Sequence, residues 1–559
     1  MSEPAVRSDT PIQSAEYDVL VVGAGFAGLY ALHSLRERGY SVQVLERASD
    51  VGGTWYHNRY PGARCDTESH VYCYSFSDEL LQEWEYSERY PEQSEILEYF
   101  RYVADKFELR KDIEFETEVE SVTFEEETGV WNVRTDRSDD TVTAQHIILA
   151  VGPLSEPYVP DFDGLDAYAG DLYHTATWPH EDVNFGGEDV GVIGTGSSGV
   201  QLIPRVAERA DSLTVYQRTP NWIVPAQNRP LTDEEWEDIR ANYDDIWERA
   251  RNTSSGHPYG QEYPSVEGIA DETVEQALEE RWEQGGFIFL YTFADLLSNE
   301  TTNRRVREFI AKKVRERLDD PELADTLVPD LDDHPYAAKR PPLSYDNYFK
   351  TFERDDVSLV DVNESPIEAF TDSGIRTAEE HYEHDAVILA TGFDAITGGF
   401  KGIDIEGRGS TTLKQRWDGR PESYLGFSVD GFPNMWMISG PQNPSAITNQ
   451  PVCIEQQVDW ILGCIEYLND NSLRFAEAKR ESIEQWVEHT NAVADKTLYP
   501  EADSWYRGDN IPGKPETLLP YPGGFDNFRD RCDEIAANEY QGYKLASSVK
   551  QLRTETQTP

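Results

Sequence analysis

The sequence predicts an α/β fold: two Rossmann-like dinucleotide-binding units with a helical subdomain inserted into the second. Two observations carry this expectation. An apolar strand running into a glycine turn and then a helix occurs twice, and a charged, helix-patterned stretch follows the second occurrence. The length of 559 residues adds a third, since it exceeds what one hydrophobic core usually supports.

In chain order, a loose leader precedes the apolar run Tyr17 to Val22, which ends in Gly23-Ala24-Gly25-Phe26-Ala27-Gly28. A helical pattern follows through Leu29, Leu32 and Leu35, and a second strand, Ser41 to Leu45, closes on Glu46. A helix is expected near Glu95 to Phe107, then β-like runs at Glu114 to Phe124 and Trp131 to Thr135, and a strand from His146 to Ala150. The second unit starts with Asp189 to Ile193, turns through Gly194-Thr195-Gly196-Ser197-Ser198-Gly199, and continues as a helix and the strand Ser212 to Tyr216, ending at Gln217-Arg218. Charged helices are read at Glu234 to Arg251, Glu272 to Gln284 and Arg305 to Leu318. The strand Ala386 to Ala390 precedes Thr391-Gly392-Phe393-Asp394, and the chain is expected to cross between domains there and near Gly152. The tail after Ser547 is polar and reads as frayed.

Charge is the outlier of the composition. Lys and Arg number 49 against 105 Asp and Glu, a formal net charge of −56, with the acids spread along the whole chain. Such a surface excludes nucleic acid and anionic membrane as natural partners. It points instead to a halophile, where concentrated counterions screen self-repulsion. Five cysteines without a CxxC pair point to reduced thiols in a cytoplasmic protein, with no disulfide framework and no metal site. No uninterrupted apolar stretch is long enough to span a bilayer, and a monomer is expected.

Each glycine motif can bring backbone close to a pyrophosphate and place it on a helix N-terminus, where free N–H groups and the dipole favour negative charge. The residue ending the second strand then separates the ligands. Glu46 can accept hydrogen bonds from a ribose 2′-hydroxyl and would repel a 2′-phosphate, which suits FAD or NAD. Arg218 and Thr219 offer a guanidinium fork and a hydroxyl to a 2′-phosphate. The reading is FAD in the first unit and NADPH in the second, and hence hydride traffic between nicotinamide and flavin. The expected boundaries are an FAD-binding part at 1–158, an NADP-binding part at 159–230, the helical insertion at 231–328, the remainder of the NADP-binding domain at 329–388, and at 389–559 the remainder of the FAD-binding domain with the active-site loops.

Two further stretches carry a family resemblance. Tyr168-Ala-Gly170-Asp-Leu-Tyr-His174-Thr-Ala-Thr-Trp178-Pro179 resembles the FxGxxxHxxxW[PD] fingerprint of type I Baeyer-Villiger monooxygenases, with Tyr168 in place of the usual Phe. Gly53-Thr54-Trp55 through Tyr60-Pro61-Gly62 to Asp66 is similar to that family's GxWxxxx[FY]PGxxxD pattern. The resemblance extends from about Tyr17 to Leu545 and implies an FAD-containing, NADPH-dependent enzyme that converts a ketone with O2 into an ester or lactone through a C4a-peroxyflavin. It implies roles as well. Arg340 falls on the active-site arginine, Asp66 on the carboxylate that orients it, and Lys339 on the lysine that helps Arg218 and Thr219 hold the 2′-phosphate. His174 falls on a histidine that couples linker conformation to catalysis. Ser445 and Ala446 lie in the active-site loop, and Trp505 resembles the tryptophan that closes over NADP. An arginine suits this chemistry because it keeps its proton near pH 7 and can offset charge on a peroxide and a tetrahedral adduct. Two alternatives remain at this level: a flavin-dependent S- or N-oxygenase, and a redox-sensing protein that holds FAD and NADP(H) without turnover.

Overall fold

The computed structural model describes residues 15–508 and 510–554, so the expected leader falls almost wholly outside the described residues. The first glycine unit centres on the strand Tyr17–Val22, which pairs in parallel with Val42–Leu45 on one side and with Ser138–Leu149 on the other. Ile113–Glu114 extends the parallel set beyond Val42–Leu45. The sheet turns antiparallel through Val130–Thr135 and Val119–Glu125. Two late strands, Asp404–Glu406 and Met435–Met437, return to this sheet in parallel register with Val119–Glu125 and Ser138–Leu149, so residues from both ends of the chain build it. The run read as Glu114 to Phe124 is therefore two strands, because the chain leaves the parallel edge after Glu114 and begins a separate antiparallel meander at Val119.

The second glycine unit is a five-stranded, wholly parallel sheet in the order Val357–Asp361, Ser212–Gln217, Asp189–Ile193, Ala386–Leu389 and Asp171–His174. Val190, Val192, Val215 and Ile388 are fully buried along it, as expected of strands covered on both faces.

Between Ser212–Gln217 and Val357–Asp361 lies the predominantly helical segment, with helices at Asp233–Ala241, Tyr243–Arg251, Asp271–Gln284, Glu300–Arg317 and Pro321–Leu327. The first begins at a reciprocal capping box between Thr232 and Glu235, satisfying two backbone donors that no helical carbonyl could reach. The single run read from Glu234 to Arg251 is broken at Asn242, whose side-chain amide donates back to the Asp238 carbonyl at 2.7 Å. Asn303, fully buried on Glu300–Arg317, accepts from the Tyr336 N–H at 2.9 Å and donates to the Tyr336 carbonyl at 3.0 Å. That clamp fixes the start of the segment carrying Lys339 and Arg340, and Ala337 within it holds a left-handed φ of 66°.

The tail is ordered further than its polarity implies. Tyr543–Ala546 pairs antiparallel with Phe475–Ala478, and Val549–Thr554 is a helix that buries Leu552 against the first sheet's core and pairs Arg553 with Glu126. Val549 packs against the same core, and the Gln551 side chain accepts from the Ser547 N–H at 2.7 Å. All five cysteines are buried and free, and among the described residues no helix is long and apolar enough to cross a membrane.

The two nucleotide-fold units meet through Gln201, on the helix Ser197–Ala207 of the second unit. Its amide oxygen accepts from the Tyr60 hydroxyl at 2.8 Å and the Arg64 N–H at 3.4 Å, while its amide nitrogen donates to the Arg64 carbonyl at 3.2 Å. The side chain is 7% exposed, so Gln201→Leu strands buried partners on the facing loop. We expect that variant to lower stability by about 2 kcal/mol and to release its flavin at a lower temperature than the native chain, read by flavin fluorescence during a thermal ramp.

Candidate active site

Both glycine turns are built to leave a helix N-terminus bare. Gly23 and Gly194 hold φ of 102° and 111°, and a Cβ at either would lie 2.6 Å from the Ala150 carbonyl oxygen or 2.5 Å from that of Ala390. Glycine is required at both. Gly28 and Gly199 pack directly on the carbonyls of Gly23 and Gly194, bringing helix onto strand. The helices Phe26–Glu37 and Ser197–Ala207 start from Gly25 and Gly196 with no side-chain cap and no acid in the first turn. A Cβ on Gly196 would meet nothing within 4 Å, and Ser197 and Ser198 are half-buried beside it. Ser198 is also hydrogen-bonded to the Tyr60 hydroxyl. Two helix ends without side-chain caps, the second of them beside open space, fit the phosphates of two dinucleotides.

The stretch from Gly53 to Asp66 closes over the first turn. Gly52 donates to the Ala24 carbonyl at 3.1 Å, and a Cβ on Gly53 would sit 3.1 Å from the Gly25 Cα. Thr54 is exposed at the mouth, whereas Trp55 is buried and donates its indole N–H to the Tyr72 hydroxyl at 2.9 Å. Glu46 is also buried. Its carboxylate accepts from the N–H groups of Ala24 at 2.6 Å and Ala48 at 2.8 Å, and burial raises its pKa against these bonds. The residue expected to read a ribose thus also braces the glycine turn.

In the second unit Arg218 is exposed and Thr219 half-buried at the end of Ser212–Gln217, and the Thr219 carbonyl accepts from the Thr195 hydroxyl at 3.2 Å. Lys339 lies within electrostatic reach of Arg218, and among the described residues neither forms an ion pair. Burial, aided by Arg218 and opposed by Asp333 and Asp503, brings the Lys339 pKa down to about 8. Unpaired cations in a chain of net charge −56 are a site in want of an anion.

Arg340 and Asp66, 274 positions apart, form a bidentate pair: Nε donates to Oδ2 at 2.7 Å and Nη2 to Oδ1 at 2.5 Å. About a quarter of each side chain stays accessible (23% and 25%). The guanidinium lies 4.8 Å from the ring centre of Phe287, and the Tyr506 hydroxyl accepts another of its hydrogen bonds. Burial alone would lower the Arg340 pKa, but the Asp66 carboxylate more than reverses this and holds it above the ordinary arginine range. Phe287 and Tyr506 are partners that residue-by-residue reading missed. Tyr506 adjoins Trp505, which was signalled, but nothing in the sequence around Phe287 separates it from a core aromatic.

His174 stands apart from this pair. Its Nδ1 accepts from the Ala176 N–H at 3.0 Å, and its Nε2 lies 3.3 Å from both the Tyr158 carbonyl and the Thr391 hydroxyl. Thr391 itself donates to that carbonyl at 2.5 Å. The ring therefore clips together two segments at which the chain was expected to cross between domains, and burial lowers its pKa. Ser445 faces inward: its hydroxyl bonds to Asn443 and accepts from the Gln457 amide at 3.1 Å, so it ties the loop to the helix Gln450–Asp470. Ala446 belongs to one apolar cluster with Tyr499 and Tyr506, against which Trp505 packs, so the expected active-site loop and the expected closing tryptophan share that cluster.

Comparison with known proteins agrees with this geometry. Residues 16–230 match the flavin-binding monooxygenase-like family. A Baeyer-Villiger monooxygenase of Pseudooceanicola batsensis is 42% identical over 541 residues, covering 96% of this chain and 97% of its own. The solved structure of an oxidized steroid monooxygenase bound to NADP superposes with a TM-score of 0.90 at 44% identity, over 95% of this chain and all of that one. A phenazine N-monooxygenase of Lysobacter antibioticus is 39% identical over 96% of this chain and 98% of its own. Fold and site thus define a flavoprotein monooxygenase with two dinucleotide folds. Within that class, the chain belongs to the Baeyer-Villiger monooxygenase family.

The Lys339 charge is present below its pKa of about 8 and lost as pH rises through it. KM for NADPH should therefore climb several-fold, to about tenfold, between about pH 7 and pH 9, while KM for NADH stays flat. Arg218→Ala should raise the NADPH KM across that whole range and leave NADH kinetics nearly unchanged. Steady-state kinetics with both cofactors over pH checks both statements.

Proposed function

We propose that this chain is an FAD-containing, NADPH-dependent Baeyer-Villiger monooxygenase that uses O2 to convert a small ketone into an ester or lactone. The observation that carries the reading is the partly open Arg340–Asp66 pair, held in a chain with two bare phosphate-binding turns. Bound FAD, reduced by NADPH, supplies the oxygen-activating chemistry. Gly23, Gly25, Gly28, Glu46, Gly53, Thr54 and Trp55 would hold the flavin nucleotide. Gly194, Gly196, Ser197, Ser198, Gly199, Arg218, Thr219 and Lys339 would hold the nicotinamide nucleotide, and Trp505 would cover it.

The protein's contribution to the chemistry is electrostatic. Asp66 occupies Nε and one Nη2 hydrogen of Arg340 and fixes the plane of the guanidinium, Tyr506 accepts another of its hydrogen bonds, and a guanidinium's five N–H donors leave capacity beyond these three contacts. Negative charge developing on reacting oxygens meets a donor that stays protonated at any working pH, so no proton is lost from the cation to the oxidant. Phe287 and the buried tyrosines 291, 499 and 506 around Arg340 lower the local dielectric, which strengthens that stabilisation. His174, neutral and bonded to backbone on both ring nitrogens, is a positioning residue at the linker. Ser445 and Ala446 shape the loop that walls the substrate space.

Arg340→Ala should keep bound flavin and lose ester or lactone formation by about 10³-fold or more, as when a preorganised charge is removed from a reacting oxygen. Product analysis by mass spectrometry after incubation with cyclic and aryl ketones decides it, and turnover near the native rate would refute the role. The phenazine N-monooxygenase relative supports a second reading, oxygenation of a ring nitrogen or sulfide. Oxygenated heteroarenes or sulfoxides with no ester from any ketone would favour it.

We further read the protein as a monomeric cytoplasmic enzyme of a halophile, supported by five free buried cysteines and a net charge of −56. The Debye length shrinks from about 10 Å at 0.1 M salt to about 3 Å at 1 M, which removes most long-range repulsion between surface carboxylates. Melting temperature and activity should thus rise with KCl into the molar range. A parallel series in sulfate separates screening from salt exclusion, and a flat KCl profile would leave the acidity to another cause.

A further inference from the structure

The segment 502–524 joins the short helix Tyr499–Glu501 to the helix Phe525–Ala537 and carries Trp505 and Tyr506, yet its described residues form no helix or strand. Side chains and single backbone bonds hold it instead. At its base the Leu519 N–H donates to the Tyr506 carbonyl at 2.8 Å, and the Leu519 carbonyl accepts from the Gln442 N–H at 2.5 Å, which stitches the segment to the loop bearing Ser445. Further along, Lys514 folds back over Gly508, where a Cβ would meet its Cγ and Cδ at 3.1 Å. The Gly508 N–H in turn donates to the Trp505 carbonyl at 3.3 Å.

The Lys514 ammonium reaches out of this segment to the crossover that follows the strand Ala386–Leu389. It donates to Asp394 Oδ1 at 2.5 Å and to the Ala395 carbonyl at 3.0 Å, and its side chain is only 5% exposed. The Asn510 amide nitrogen adds a bond to the Phe393 carbonyl at 3.0 Å. A lysine is seldom buried without a partner because desolvation of its charge is costly, and burial lowers the Lys514 pKa against the Asp394 carboxylate. Solvated ion pairs are worth little, but this cation has left water.

The other side of the crossover is held by the linker. Thr391 meets His174 and the Tyr158 carbonyl, the Gly392 carbonyl accepts from the Tyr158 N–H at 2.9 Å, and the Asp394 N–H donates to the Glu156 carbonyl at 2.9 Å. Ile396, whose N–H donates to the Pro153 carbonyl at 2.7 Å, holds a left-handed φ of 66°, a conformation that a β-branched residue adopts only where its surroundings impose it. Asp394 thus has partners on both sides: its backbone is bonded to the linker and its carboxylate to Lys514.

We propose that Lys514 is a positioning residue that ties the placement of Trp505 and Tyr506 to the linker, so that the segment docks over the nicotinamide nucleotide where the crossover presents Asp394. Tyr506 then meets the Arg340 guanidinium, and His174, which stands apart from Arg340, acts on its surroundings through Thr391, Asp394 and Lys514. This inference rests on the proposed place of Trp505 over the nicotinamide nucleotide.

The test uses flavin-loaded enzyme and NADP+, with the variants Lys514→Met, Lys514→Arg, Asn510→Ala and Thr391→Val. Two quantities are read: the rate at which NADP+ leaves, by stopped-flow absorbance of the flavin, and the protection that NADP+ gives against tryptic cleavage after Arg507. Lys514→Met should release NADP+ about tenfold faster or more, since a charge-assisted hydrogen bond holding the segment is lost, and should lose the protection. Lys514→Arg, which keeps the charge, should restore most of both. Asn510→Ala should speed release by about threefold, the effect of one neutral hydrogen bond. Thr391→Val loosens the linker side, so it should also speed release, and added to Lys514→Met it should contribute less than about twofold more, as expected of residues acting through one contact. Native release and protection in Lys514→Met overturn the proposal, and where that variant does not load flavin, native behaviour of Asn510→Ala does the same. Effects of Lys514→Met and Thr391→Val that multiply in full overturn the link to the linker. Neither readout needs a ketone, so a failure of the Baeyer-Villiger reading in product analysis is distinguishable from a failure here.

Discussion

The pair between Arg340 and Asp66 is the constraint around which the molecule is arranged. Asp66 ends a loop that leaves the first glycine unit, and Arg340 ends a segment clamped to the helical insertion through Asn303 and Tyr336. Neither unit alone holds both partners. A guanidinium placed beside an acid is worth little when solvated, but a partly buried one left without its acid is strongly destabilising. The geometry therefore forces the two nucleotide-fold units and the insertion into one arrangement, with Gln201 supplying neutral hydrogen bonds at the same seam. Asp66 also leaves part of the cation free, so the same contact that joins the units leaves a positive edge for chemistry.

Much of this was legible in the sequence because it rests on local rules. A strand, a glycine turn and a helix are specified within about 20 residues, and glycine is needed where φ is positive or a carbonyl lies against it. Both turns, the strands that follow them and the charged helices are where the pattern puts them. The Arg340–Asp66 pair was legible only through family resemblance, since nothing local links residues 274 positions apart. Departures have equally physical causes. Asn242 ends a helix because its amide competes for a helical carbonyl, a choice that the charged pattern around it conceals. The helix Val549–Thr554 buries Leu552 and pairs Arg553 with Glu126, more than 400 positions away, neither visible in a polar tail.

Side-chain roles were less legible than positions. Glu46 occupies the expected place, but whether its oxygens face a ribose or the backbone depends on the N–H groups of Ala24 and Ala48, which only the folded turn brings near. Ser445 reads as part of a substrate loop, and its hydroxyl is directed to Asn443 and Gln457. In the sequence, only the family resemblance gives His174 a role, at the linker. The fold makes it a junction piece by bringing residues 158 and 391 to the same ring nitrogen. In each case a long-range contact decides among chemically reasonable uses of the same residue type.

The acidic surface and the cationic interior have to work in one solvent, and their burial explains how they can. Salt at molar strength screens exposed charges strongly and buried ones much less. The carboxylates spread over the surface gain from that screening, because it removes repulsion among them. Exposed Arg218 loses part of its attraction for a phosphate under the same conditions, whereas half-buried Lys339 and the quarter-accessible Arg340 keep more of theirs. On the proposed roles, concentrated salt would shift the burden of holding a 2′-phosphate from the strand-end arginine to the lysine beside Arg340. Burial is also what lowers the Lys339 pKa, so the feature that makes its charge resistant to salt is the one that makes it sensitive to pH.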